Sequence, residues 1–151
     1  MDNIRELFQM TIRRFHFLDK NSCSTGVSYL SLTQSHILYE IDRQHQPSMQ
    51  QVADALGIDI TTFSRQVQTL VKMNLVKKTP LPQDKRVMIL SLTVEGKYVT
   101  TTVDRTISEY LNEIFSHMNE FEKETVIRSL ELLNSAMIKT EKCYSPTLKG
   151  E

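Results

Sequence analysis

Apolar positions along this chain recur at two spacings, and the change from one to the other predicts the order of its elements. Between Asp2 and Lys20, the residues Ile4, Leu7, Phe8, Phe15 and Leu18 fall at helical intervals and give one apolar side. Asn21 to Tyr29, NSCSTGVSY, interrupts the pattern with turn formers. A second helix is expected from Thr33 to near His45, with Ile37, Leu38 and Ile41 inward and Pro47 preventing continuation. A third, Gln50 to Leu56, carries Val52, Ala53 and Leu56 at core spacing and stops at Gly57, which takes a left-handed backbone without Cβ strain. Asp59 is placed to cap a fourth helix, whose buried stripe would be Ile60, Phe63, Val67, Leu70 and Val71.

The period then shifts toward two. Asn74 suits a left-handed helix end, Leu75 to Thr79 reads as a strand, and Val87 to Leu92 alternates as a returning strand. The tip between them, PLPQDKR, holds Pro80 and Pro82, which fit only an edge or a loop because neither donates to a strand ladder. Helical spacing resumes after Thr93, which caps a helix to about Met118 with Val99, Val103, Ile107, Tyr110 and Ile114 as its stripe. Asn119, with Glu122 in the capping-box position, starts a last helix carrying Phe121, Val126, Leu130, Leu133 and Met137.

The predicted fold is therefore mainly α with a small β-wing. It is one domain over residues 1–151, in which a winged helix-turn-helix (31–92) is flanked by amino-terminal (1–20) and carboxyl-terminal (93–142) helices. Within one subunit the two long carboxyl-terminal helices and the first helix cannot cover each other's apolar sides. A symmetric homodimer is the simplest solution, and it doubles the module into a pair that would read a palindrome.

Charge sharpens this picture. The chain has 18 basic and 18 acidic residues and a formal net charge of zero, which by itself argues against a nucleic-acid partner. The charges are segregated, however. Residues 48–92 hold Arg65, Lys72, Lys77, Lys78, Lys85 and Arg86 against Asp54, Asp59 and Asp84, a local excess of +3, and residues 93–142 carry the opposite excess of −3.

On the fourth helix Thr61, Arg65, Gln68, Thr69 and Lys72 lie opposite the apolar stripe. Such a face suits a DNA major groove, where Arg and Gln read base edges and Lys meets phosphate, although an ordinary solvated face would look similar. Thr61, Thr62, Ser64, Arg65, Gln68 and Lys72 are the candidate groove residues. Lys85 and Arg86 on the wing tip are placed to meet phosphates or enter a minor groove, with Asp84 orienting Arg86 or Arg65.

TTFSRQVQTLVKMNLV running into DKRVMILSLTVEGK resembles the MarR family of transcriptional regulators, and the flanking helices extend the likeness over nearly the whole chain. The resemblance implies a homodimeric DNA-binding protein, with the family's wing motif D-x-R on Asp84 and Arg86 and its recognition-helix Arg on Arg65. It also implies that the first helix interlocks with the carboxyl-terminal helices of a second subunit. The chain departs from the family pattern at Asn74, where Gly is usual, and at Lys77 and Lys78, where an acidic residue and an Arg are common.

Chemistry beyond binding has little support. No nucleophile with its base, no glycine-rich phosphate loop and no carboxylate pair stands out, so an enzyme is not expected and no cofactor is assigned. The histidines are His16, His36, His45 and His117, and the zinc-sensing H-x-x-x-H pair of the family is missing from the helix after the wing, so no metal site is assigned. Cys23, near Tyr29 and Tyr39 in sequence, is a candidate redox sensor if a helix amino end lowers its thiol pKa, and a small semi-buried cysteine otherwise. Cys23 and Cys143 are too few for a disulfide framework. Phe15, Phe17, Tyr29, His36 and Tyr39 are candidates to line a pocket for a small lipophilic effector, and aromatics at these spacings also serve as plain core. No membrane span or signal-peptide core is legible, so a cytoplasmic protein is expected.

The expectation is a DNA-binding regulator, a repressor relieved by a ligand or by thiol oxidation, with double-stranded palindromic DNA as partner. The alternative is a winged-helix module that binds another protein, since fold does not fix function.

Overall fold

A computed structural model describes residues 2–21 and 30–141, with side chains placed at 3–15 and 30–140. The elements are α1 (Asp2–Asn21), α2 (Leu32–Gln44), α3 (Met49–Leu56), α4 (Ile60–Lys72), β1 (Val76–Pro80), β2 (Met88–Leu92), α5 (Val94–Ser116) and α6 (Glu120–Glu141). They fall into two compact units, one up to Ser108 and the other from Glu109 onward.

The helix ends follow from local chemistry. α2 begins one residue before the expected Thr33 because Ser31 and Gln34 close a capping box. The Ser31 hydroxyl accepts the Gln34 N–H at 3.2 Å, and the Gln34 side-chain oxygen accepts the Ser31 N–H at 3.1 Å. Ser48 and Gln51 do the same for α3, at 3.1 and 2.8 Å. α3 ends on Gly57 at φ 63°, with the Ile58 N–H returning to the Ala53 carbonyl at 3.0 Å. Asn74, at φ 59°, ends α4 in the same way, with the Leu75 N–H on the Leu70 carbonyl at 3.0 Å. That bond commits Leu75 to the helix end, which is why β1 starts one residue later than its sequence pattern suggests.

β1 and β2 form a two-stranded antiparallel sheet in the register Val76 to Leu92 through Pro80 to Met88. The Leu90 N–H also donates to the Pro47 carbonyl at 2.8 Å, which ties the returning strand to the chain entering α3. The core of the first unit gathers one face from each element: Ile37, Leu38 and Ile41 of α2, Val52 and Ala53 of α3, Phe63, Val67 and Leu70 of α4, then Leu75, Val76, Leu90 and Val99. Non-directional burial of these side chains, each stabilising by about 1.5–3 kcal/mol for the larger ones, holds the unit together.

Thr93 joins the wing to α5. Its hydroxyl donates to the Asn74 carbonyl at 2.7 Å and accepts the Gly96 N–H at 2.9 Å, so one side chain closes the end of α4 and caps α5. In the second unit the His117 and Met118 N–H groups fold back on Ile114 and Phe115, and Asn119 with Glu122 forms the expected capping box of α6. Apolar side chains of two helices are left in water. The α1 side chains Ile4, Leu7, Phe8, Met10, Ile12 and Phe15 are exposed, as are Phe121, Ile127, Leu130, Leu132, Leu133, Met137 and Ile138 of α6. Among the described residues no helix is long and apolar enough to cross a membrane.

Candidate nucleic-acid interface

α4 presents its polar side outward because its apolar residues are spent on the core. Phe63, Val67 and Leu70 are buried, while Thr61, Thr62, Arg65, Gln68 and Lys72 are exposed and Ser64 is half-buried. The buried stripe is shorter than the sequence pattern suggests: Ile60, the first residue of the helix, is 44% exposed, and Val71, at the edge of the stripe, 39%. The N-terminus is held by Asp59, whose carboxylate accepts the Thr62 N–H at 2.9 Å. Hydrogen bonding from Thr62, its side chain first, holds the Asp59 carboxyl below the usual carboxylate range, with smaller help from the Thr61 N–H and the Arg65 charge. The first turn, with Thr61 and Thr62, is therefore ordered before any partner arrives.

The wing tip is a structured turn. The Leu81 N–H donates to the Val87 carbonyl at 2.8 Å, the Asp84 N–H to the Leu81 carbonyl at 3.2 Å and the Val87 N–H to the Asp84 carbonyl at 3.0 Å. Lys85 and Arg86 stand exposed on it. Asp84 meets Arg86 through the backbone, its Oδ1 accepting the Arg86 N–H at 3.0 Å, so the carboxylate orders the turn that carries the guanidinium. Lys77 and Lys78 on β1 are exposed as well, on opposite faces of the strand.

The other candidate positions are described only in part. Cys23 and Tyr29 lie outside the described residues, as does the side chain of Phe17. Phe15, His36 and Tyr39 are exposed. A shallow cleft of about 490 Å³ is lined by Ile41, Asp42, His45, Gln46, Ser91, Leu92 and Lys97; of the described residues expected to line a pocket, Phe15, His36 and Tyr39 are not among them. In its wall Lys97 pairs with both carboxylate oxygens of Asp42 at 2.7 Å. Burial, followed by the negative charge of Asp42, pushes the nearby Asp104 carboxyl above its ordinary range. Among the described residues no group of three or more His, Cys, Asp or Glu could hold a metal ion.

Comparison with known proteins agrees with this architecture. The model of the MarR family matches residues 30–88. An uncharacterized HTH-type transcriptional regulator of Bacillus subtilis, YxaD, is 27% identical over 127 residues, 84% of this chain and 87% of that protein. Streptococcus pneumoniae FabT, solved in complex with DNA, superposes with a TM-score of 0.84 at 18% identity, covering 91% of this chain and 97% of its own. A mutant MarR from E. coli, complexed with operator DNA, gives 0.70 at 18% identity over 88% and 94%.

Proposed function

We propose that this protein, whose residues 30–88 match the model of the MarR family, is a cytoplasmic, homodimeric transcriptional regulator that binds a palindromic DNA operator and represses from it. It is a binding protein and not an enzyme. The observation that carries the reading is the pairing, on one compact unit, of a capped helix whose outward face is Thr61, Thr62, Arg65, Gln68 and Lys72 with a rigid turn bearing Lys85 and Arg86. The helix face suits base edges in a major groove, and the wing suits phosphates or an adjacent minor groove. The description of YxaD as a transcriptional regulator and the DNA in the FabT and MarR complexes support it.

Control enters through the geometry of the dimer. A small lipophilic ligand near Phe15, Phe17, Tyr29, His36 and Tyr39, or oxidation at Cys23, changes the spacing of the two recognition helices. Affinity then falls, because both half-sites can no longer be engaged at once.

Fluorescence anisotropy on DNA from the protein's own upstream region and on a scrambled duplex tests the reading, with reduced protein and again after mild peroxide. Tight binding to the first duplex alone is expected. Loss on oxidation, reversed by thiol and absent in Cys23→Ser, assigns the sensor. Equally weak, salt-sensitive binding to both duplexes and to fragments from across the genome sinks the regulator in favour of a protein-binding winged helix.

A further inference from the structure

Gln34 stands at a junction that the capping pattern alone does not explain. It is 9% exposed in a part of α2 where the neighbouring inward positions are Ile37, Leu38 and Ile41. Its side-chain oxygen is engaged by the Ser31 N–H at 3.1 Å, and its Nε2 donates to the side-chain oxygen of Gln66 on α4 at 3.3 Å. The capping box decides which way round the Gln34 amide sits: with the oxygen turned to Ser31, only the NH₂ can face α4, and Gln66 must answer with its oxygen.

We infer that Gln34 is a positioning residue for DNA recognition, setting the rotation of α4 about its own axis through Gln66. The inference rests on the DNA-binding reading above and names a buried residue outside the candidate groove and wing positions. Phe63, Val67 and Leu70 hold α4 by burial, which is non-directional and tolerates small rotations of the helix. A hydrogen bond between amides is directional, and Gln66 adjoins Arg65 in the chain, so a helix that turns about its axis re-aims Arg65. Groups that read a partner must be held close to the productive geometry by a supporting shell, and this bond is such support.

The test compares wild type, Gln34→Leu, Gln66→Leu, the double variant and Gln34→Glu. The probes are a duplex selected by the wild-type protein from a random pool and a scrambled duplex of the same composition. Each single Leu variant is expected to lose about fivefold on the selected duplex, the worth of one net hydrogen bond, and nothing on the scrambled one. The double variant should lose no more than either single, because both remove the same bond. Gln34→Glu keeps the acceptor for the Ser31 N–H and lets Gln66 turn its amide over, so it should bind within about twofold of wild type. Should Gln34→Leu weaken α2, Gln66→Leu and Gln34→Glu carry the test alone, since both leave the cap intact. Undiminished binding by Gln66→Leu, losses that multiply in the double variant, or equal losses on both duplexes would overturn the inference. A wild-type protein that enriches no duplex would overturn the DNA reading itself.

Discussion

Gly96 shows how one residue can be dictated by a contact distant in sequence. It lies in the first turn of α5, and a Cβ built there would sit on the carbonyl oxygen of Leu75. That same oxygen accepts the Thr93 N–H at 3.0 Å, so Leu75 cannot retreat without opening the junction between wing and helix. The obstruction is backbone and not the end of a flexible side chain. Gly96→Ala should therefore destabilise the fold by about 3 kcal/mol, at the upper end of ordinary overpacking. Urea unfolding followed by circular dichroism measures it, and a change under about 0.5 kcal/mol would show that the junction yields.

At the scale of the element, α4 and the wing divide the proposed labour. On that reading Arg65, in the middle of the outward face, discriminates bases, and Lys85, on the exposed tip, neutralises phosphate without regard to sequence. Arg65→Ala should cost about 1–3 kcal/mol on the operator and much less on random DNA. Lys85→Ala should weaken both alike and lower the salt slope by about one. Salt titrations on the two duplexes separate the cases, and equal losses from Arg65→Ala would remove its base-reading role. The division is possible because the recognition face and the core face of one helix are fixed together: burying Phe63, Val67 and Leu70 leaves Arg65 and Gln68 outward.

Among the described residues, large apolar side chains stand exposed on both α1 and α6, and exposed apolar patches mark sites of interaction. A second copy that covers them is the proposed solution, and it also makes the pairing of two half-sites a matter of subunit geometry. Leu130→Glu combined with Leu133→Glu places two charges on the α6 face. This variant should sediment as a monomer and lose about a hundredfold on a palindromic operator through lost avidity. A variant that remains dimeric in sedimentation equilibrium would take α6 out of the interface.

Much of this was legible in the sequence because it depends on near neighbours. Spacing gave the order of the helices, Gly57 and Asn74 their left-handed ends, Asp59 and Asn119 two of the caps, and Pro82 the loop between two strands, whereas Pro80, expected in that loop, closes β1 opposite Met88. The outward residues of the fourth helix followed from the same arithmetic, since a period of 3.6 assigns faces without knowing what lies opposite. Only the tertiary structure could decide how far the buried stripe extends, and it left out Ile60, at the first residue of α4, and Val71, at the edge of the stripe. It also turned Asp84 toward a backbone N–H, set Gly96 against Leu75 and joined Gln34 to Gln66 across 32 positions of chain. Local pattern shows which side of an element is apolar; it carries no information about which distant atom will stand there, and directional contacts depend on that atom.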